Sequence, residues 1–306
     1  MMMHSNKVIA PDQICLYRTE WSQETMNFLT EIDSFHIKPR PVVIDFSNCR
    51  NISAAAAVMT FAKITRCQIL ADSHYEGVSH QSIRIILPED KIAKKLFTSS
   101  GMFNAIKPGG MKKLEKLWDD MANPFKTSND SRGELTNIIK HLRKTLGKVP
   151  GRLVAALGEA GLNIRHHAYR DDTHTDIDGR WWLYILHSPQ RKTVSVVIYD
   201  AGVGIPYSIR DKYFSEGGAP HTPDNKFIEY AMTQGKTRHS NDEGRGNGFT
   251  NIKQPMDMNA SAKHLLVCSG RGIVKYKNQK IASSDCMSNS NFGGTLVEWN
   301  FEENQV

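Results

Sequence analysis

The sequence predicts an α/β protein of two domains. Three observations predict it: a chain of 306 residues, an alternation of β-branched runs with helical stripes through the first third, and a Pro/Gly/Ser/Asn-rich break at 122–131 before a second helix–strand series. At roughly 100–200 residues per domain, the length accommodates two. Apolar residues make up 40% and charged residues 23%. That is too apolar for wholesale disorder and enough to bury a core in each half. The boundaries read as a domain over 1–122, a linker over 123–133 and a second domain over 134–306.

In the first domain, Gln13–Arg18 is a short strand candidate. Ser22–Phe35 carries Met26, Leu29, Ile32 and Phe35 at helical spacing. Pro41–Phe46 is a compact β-branched run, as buried strands are. Ser53–Arg66 is Ala-rich with a Ser at its start, which predicts a capped helix. Ser82–Leu87 reads as a strand stopped by Pro88, and Asp90–Leu96 opens another helix. The order βαβαβα favours a sheet with helices packed against it. Met111–Met121 adds a helical segment.

In the second domain, Glu134–Leu146 carries Leu135, Ile138, Ile139, Leu142 and Leu146 as one apolar stripe. Pro150 and Gly151 break it, and a second helix is expected from 152 to 169. Trp181–Ser188 and Lys192–Tyr199 read as neighbouring antiparallel strands. Residues 201–243 are dense in Gly, Pro, Ser and charge, with no strong periodicity, and read as an irregular stretch of the kind that forms lids. Leu265–Ser269, Ile273–Lys277 and Thr295–Phe301 close the domain as strands.

The five cysteines are odd in number and far apart, with no zinc spacing and no disulfide framework. This suits a reducing cytosol, and the expected location is cytoplasmic. No run approaches the roughly 18 apolar residues of a spanning helix, so no membrane segment is expected. Met1, Met2, Met3, His4 and Ser5 do not read as a secretory signal. The net charge is +7, and residues 91–148 hold 13 Lys/Arg against 5 Asp/Glu. The rest of the chain therefore carries −1. No helix-turn-helix or zinc-finger pattern accompanies the basic stretch, so it reads as a solvated face and nucleic acid is not the expected partner.

Three short motifs carry chemistry. Glu159 and Asn163 stand four apart on a helix, so a carboxylate and an amide share one face. A carboxylate can take a proton from an attacking hydroxyl, and an Asn carbonyl oxygen suits Mg²⁺. Asp200, Gly202 and Gly204 follow the apolar strand Thr193–Tyr199. A carboxylate there can accept from an exocyclic amine, and glycines let a flat ring approach the backbone. Taken alone, this motif is equally a tight turn. Gly244, Gly246 and Gly248 alternate before Phe249–Ile252. Their N–H groups can converge on an anion, with Arg245 supplying charge.

In this order and spacing, the three motifs resemble those of the GHKL ATP-binding fold, the family that includes gyrases, heat-shock chaperones and histidine kinases. Gly293, Gly294 and Thr295 are similar to the family's last glycine–threonine signature, so the resemblance spans about 134–302. It implies a GHKL α/β sandwich, a mixed sheet with helices covering one face. It also implies roles. Glu159 is the catalytic base and Asn163 the Mg²⁺ ligand. Asp200 binds the adenine amino group with support from Thr295, and Gly202 and Gly204 flank the ring. Gly244, Arg245, Gly246 and Gly248 surround the phosphates, and Lys236 and Thr237 belong to the lid. ATP and Mg²⁺ are the implied ligands.

The run from Glu159 to Tyr169, and Gln234–Arg238 ahead of Gly244, are similar to the anti-sigma-factor serine kinases. Their pattern has an apolar residue where this chain has Asn247. The implied activity is ATP hydrolysis or phosphoryl transfer to Ser/Thr of a protein. The alternative is a non-catalytic ATP-dependent switch. A regulatory protein partner is expected, and a homodimer is compatible with the pattern. His166 and His167 read as structural. His141 stands too close to Asn163 to be a sensor kinase's phospho-acceptor.

Val42–Ser47 followed by Ile52–Ala56, with Lys95–Phe103 further on, resembles a STAS domain, the fold of anti-sigma-factor antagonists. The acceptor serine of that fold falls at Ala54, so the module is expected not to be phosphorylated at that position, with Ser53 and Ser47 as substitutes.

Overall fold

The structure is a computed structural model that describes residues 6–37, 41–74, 83–130, 134–169, 176–233 and 248–303. The chain divides into two compact units. The first holds 1–127 with 182–184, and the second 128–181 with 185–306. Both combine helices and strands, so the chain is mixed α/β, as the sequence predicts.

The first unit is built on a parallel three-stranded sheet in the order β1 (Asn6–Ile9), β3 (Val42–Asp45), β5 (Ile83–Ile86). A small parallel pair, β2 (Gln13–Ile14) and β4 (Asn51–Ile52), accompanies it. Two long helices follow the first strands, α1 (Thr19–Ile37) and α2 (Ala54–His74). Helix α2 is buried along nearly its whole length, which its Ala-rich composition permits. It is long and apolar enough to cross a membrane by composition alone, yet every residue of that window is covered by protein.

The polar groups of α2 are answered internally. Lys63 Nζ meets Asp33 Oδ2 at 2.8 Å, and Thr60 and Thr65 donate to carbonyls one turn back. Gln68 Nε2 donates to the Ile106 carbonyl at 2.8 Å. Three shorter helices follow among the described residues: α3 (Lys91–Ser99), capped by Asp90 through the Ala93 N–H, α4 (Met102–Ile106) and α5 (Gly110–Asp119).

The stretch 123–133, expected to be a linker, instead holds a strand, β6 (Phe125–Ser128), with Phe125, Lys126 and Thr127 buried. Lys126 is the physical reason. Its ammonium donates to the carbonyls of Leu117, Trp118 and Asp120 at the C-terminal end of α5. A lysine in a polar-looking stretch is thus an internal strut.

The second unit opens with α6 (Leu135–Leu146) and α7 (Leu153–Asn163), which runs into a π turn, Ile164–Ala168. His141 is buried on α6. Its strands β7 (Trp181–Ser188), β8 (Thr193–Asp200), β9 (Ala262–Ser269), β10 (Gly272–Lys277), β11 (Lys280–Cys286) and β12 (Thr295–Glu302) lie in the order β11-β10-β9-β12-β8-β7. The ladders joining β8, β12, β9, β10 and β11 are antiparallel.

The stretch 201–243, expected to be irregular, holds two helices within its described part, 201–233: α8 (Ile205–Ser215) and α9 (Asp224–Ala231). Pro206 sits in the first turn of α8, where its missing N–H costs nothing. A last helix, α10 (Gly248–Met258), packs on α7.

Candidate functional site

Asp200 closes β8, at the end of a strand that is buried along almost its whole length. The register places Thr295 of β12 opposite it, and Ser269 of β9 opposite Thr295. One rung across three strands thus carries Asp200, Thr295 and Ser269. The Asp200 carboxylate accepts from the Gly202 N–H at 2.9 Å and from the backbone N–H of Thr295. Burial pushes its carboxyl up to about 7, against the pull of those two N–H groups. Among the described residues no cation pairs with it. A buried carboxylate without a countercharge is expensive.

Ser269 ties the rung together. Its hydroxyl accepts from the Ile205 N–H at 2.8 Å, donates to the Gly294 carbonyl at 2.9 Å and lies 3.1 Å from Thr295 Oγ1. It therefore serves the open N-terminus of α8, whose cap residue Gly204 has no side chain to offer.

The glycines are fixed by contact. A Cβ at Gly202 would lie 2.2 Å from the Ala168 carbonyl oxygen, to which the Val203 N–H donates at 2.8 Å. At Gly204, with φ +82°, a Cβ would lie 2.8 Å from Ser269 Oγ. At Gly294, with φ +138°, it would lie 1.9 Å from the Asp200 carbonyl oxygen. The backbones of the two ends of the site therefore touch.

Asp200, Gly204, Thr295, Asn163 and Gly248 line one cavity of about 120 Å³, walled for the rest mainly by apolar side chains such as Ile164, Ile198, Ile209 and Val297. At roughly 10–15 Å³ per ordered water by the same measure, this is room for a flat ring rather than a lone water. Gly248 connects the helices: a Cβ there would stand 3.2 Å from Glu159 Oε2 and 3.8 Å from Asn163 Oδ1. Asn163 faces the cavity. Glu159 is not part of its wall and lies beside Gly248 instead.

Of the residues singled out from the sequence, Asn163, Asp200, Gly204, Gly248 and Thr295 are brought together, with Gly202 packed just behind and Glu159 at the margin. Lys236, Thr237, Gly244, Arg245 and Gly246 lie outside the described residues. His167 lines the cavity, whereas His166 is exposed.

Sequence reasoning missed Ser269 and Tyr169. The Tyr169 hydroxyl accepts from the Ala201 N–H at 2.9 Å and so holds the turn after Asp200. A register argument pairing the ends of Leu265–Ser269 and Thr295–Phe301 could have found Ser269. Tyr169 had no signal, since it acts across 32 residues of chain.

No protein-family model matches the sequence. Nor does any curated protein match it.

Proposed function

We propose that the second unit is a GHKL-type ATP-binding module acting as an ATPase or as a Ser/Thr protein kinase in a regulatory role. The observation that carries this reading is the buried Asp200 carboxylate, held by two backbone N–H groups at the wall of a mainly apolar cavity. A carboxylate has about four lone-pair positions, so acceptor capacity remains beyond those two bonds. An adenine fits it: a flat apolar ring with one exocyclic amine to donate. Gly204 keeps the ring's approach free of a side chain.

Toward α7 and α10, Asn163 and Gly248 mark where phosphates would lie, at the N-terminus of a helix. Among the described residues no three His, Cys, Asp or Glu side chains form a metal cluster. A single Asn oxygen suits Mg²⁺, which keeps most of its waters and takes phosphate oxygens as ligands. Bound there, the ion would neutralise phosphate charge during transfer. Glu159 would take the proton of the attacking hydroxyl or water.

The first unit is read as a STAS-like module that engages a regulatory partner. Its parallel sheet and the turn from β4 into α2 support this. Ser53 is buried at that turn, and its hydroxyl accepts from the Ala56 N–H, which suits a degenerate acceptor position.

A second reading rests on Glu159 standing outside the cavity wall. In it, ATP binds and only orders a partner surface, without turnover.

The test is titration with Mg-ATP, followed by tracing of γ-labelled phosphate to protein or to solution. Asp200→Asn should weaken ATP by roughly 10–150-fold, the loss of a charge-assisted hydrogen bond. Unchanged affinity in a folded variant removes Asp200 from the site. Glu159→Ala should cut turnover by about 10²–10⁴-fold with ATP still bound. A wild type that binds ATP and releases or transfers no phosphate with any partner selects the switch.

A further inference from the structure

The first unit holds a second cavity, of about 410 Å³, between the end of α4 and one face of α5. Four ammonium groups line it: Lys107, Lys112, Lys113 and Lys116. Asp120 is the one carboxylate on its wall among the described residues. Lys112 and Lys116 are exposed, and neither forms an ion pair among the described residues. Lys107 donates to Asn104 Oδ1 at 3.1 Å, a neutral partner. The N-terminus of α5 is the positive end of its dipole, so it adds to these charges rather than balancing them, and a carboxylate meets it. Asp72 Oδ2 accepts the Met111 N–H at 2.9 Å.

Lys113 is the informative member. It is 9% exposed, and its Nζ donates to Gln68 Oε1 at 2.9 Å and to the Ala105 carbonyl at 2.6 Å. In its protonated form the amine has three N–H donors, so one is left over at the cavity that it lines. Burial and the neighbouring Lys107 push this amine down to about 7. A cluster of this kind opposes its own charge unless an anion answers it. The set contains no arginine, whose planar fork matches a carboxylate in two parallel bonds. Lysines act as point charges and suit the dispersed negative oxygens of phosphate.

We propose that this cavity binds a small, multiply charged phosphate anion, with Lys107, Lys112 and Lys116 supplying charge and Lys113 its third N–H. The proposal is independent of the ATP reading of the second unit, because it draws on none of those residues.

The experiment is calorimetric titration of the full chain with pyrophosphate, without Mg²⁺ or nucleotide, in chloride buffer. The wild type, Lys112→Gln/Lys116→Gln and Asp200→Asn are compared, with folding checked by circular dichroism. Both lysines are exposed, so the double variant keeps its core. The expected result is one-to-one binding, at least tenfold weaker in the double variant and unchanged in Asp200→Asn. A nucleoside diphosphate in place of pyrophosphate, titrated with Asp200→Asn present in both backgrounds so that the second unit's site is weakened, then distinguishes the source. Equal affinity with the lysines intact, lost likewise when Lys112→Gln/Lys116→Gln is added, means that free phosphates are read. Tighter binding, lost in the same way, means that a nucleoside is also held. No binding, or unchanged affinity in the double variant, overturns the proposal. So does equal competition by sulfate, which marks an adventitious ion only. Displacement by a short single-stranded RNA with a steep salt dependence would overturn it in favour of a nucleic-acid surface.

Discussion

Two buried charges, one in each unit, look alike by burial and differ in what surrounds them. Lys126 of the first unit spends its three donors on three backbone carbonyls at the end of α5. Asp200 of the second unit accepts two N–H groups and keeps capacity to spare beside a cavity. A buried charge whose hydrogen-bonding capacity is exhausted by the chain is structural. One with capacity left, no countercharge and an adjoining space is a candidate for holding a ligand.

The sharpest test of this contrast is the pH dependence of stability. The Asp200 carboxyl is raised in the fold, so the native state holds a proton that the unfolded state has released. Stability attributable to this group is therefore intact below the unfolded value of 3.8 and falls as pH rises to about 7. The full loss is of the order of 4 kcal/mol. Urea unfolding of wild type and Asp200→Asn across pH 4–8 should show the wild type losing ground to the variant over that window. Parallel profiles would mean that the carboxylate is not strained by its site.

Lys126→Met should act in the opposite sense. Three carbonyls lose their donor, so the first unit should be destabilised by about 3 kcal/mol, with ATP affinity unchanged. A neutral result by chemical denaturation would mean that water satisfies those carbonyls and that the contrast fails on this side.

The smallest effect concerns Ser269, which serves the site through other residues. Ser269→Ala leaves the Ile205 N–H and the Gly294 carbonyl short of a partner, at a cost of about 1–2 kcal/mol. Measured by thermal unfolding, a loss below the error of the method would remove Ser269 as the tie between α8 and the rung.

Much of this was legible in the chain. The apolar runs of β7, β8 and β12 announce buried strands, and Asp200, Gly202 and Gly204 follow one of them at the position where a sheet presents ligands. The helices α8 and α9 were not legible. Buried Ile205 and Ile209 are diluted by charge along α8, and its start after Gly204 reads as a loop. Strand β11 is largely exposed and polar, so alternation gives no signal. Strand β6 hides because its inward Lys126 looks like a surface residue until the carbonyls around it are known. Ser269 and Tyr169 act across long chain separations, which no local pattern records.

The packing around Gly202, Gly204 and Gly294 has a consequence for how the sequence can change. Each is pinned by atoms of another segment, at 2.2, 2.8 and 1.9 Å from where a methyl would begin. Selection can erode the intervening sequence almost freely, since cores accept many apolar substitutions. It cannot place even an alanine at these three points without displacing backbone or the Ser269 hydroxyl. The spacing between these three glycines is therefore the part of the sequence least free to change.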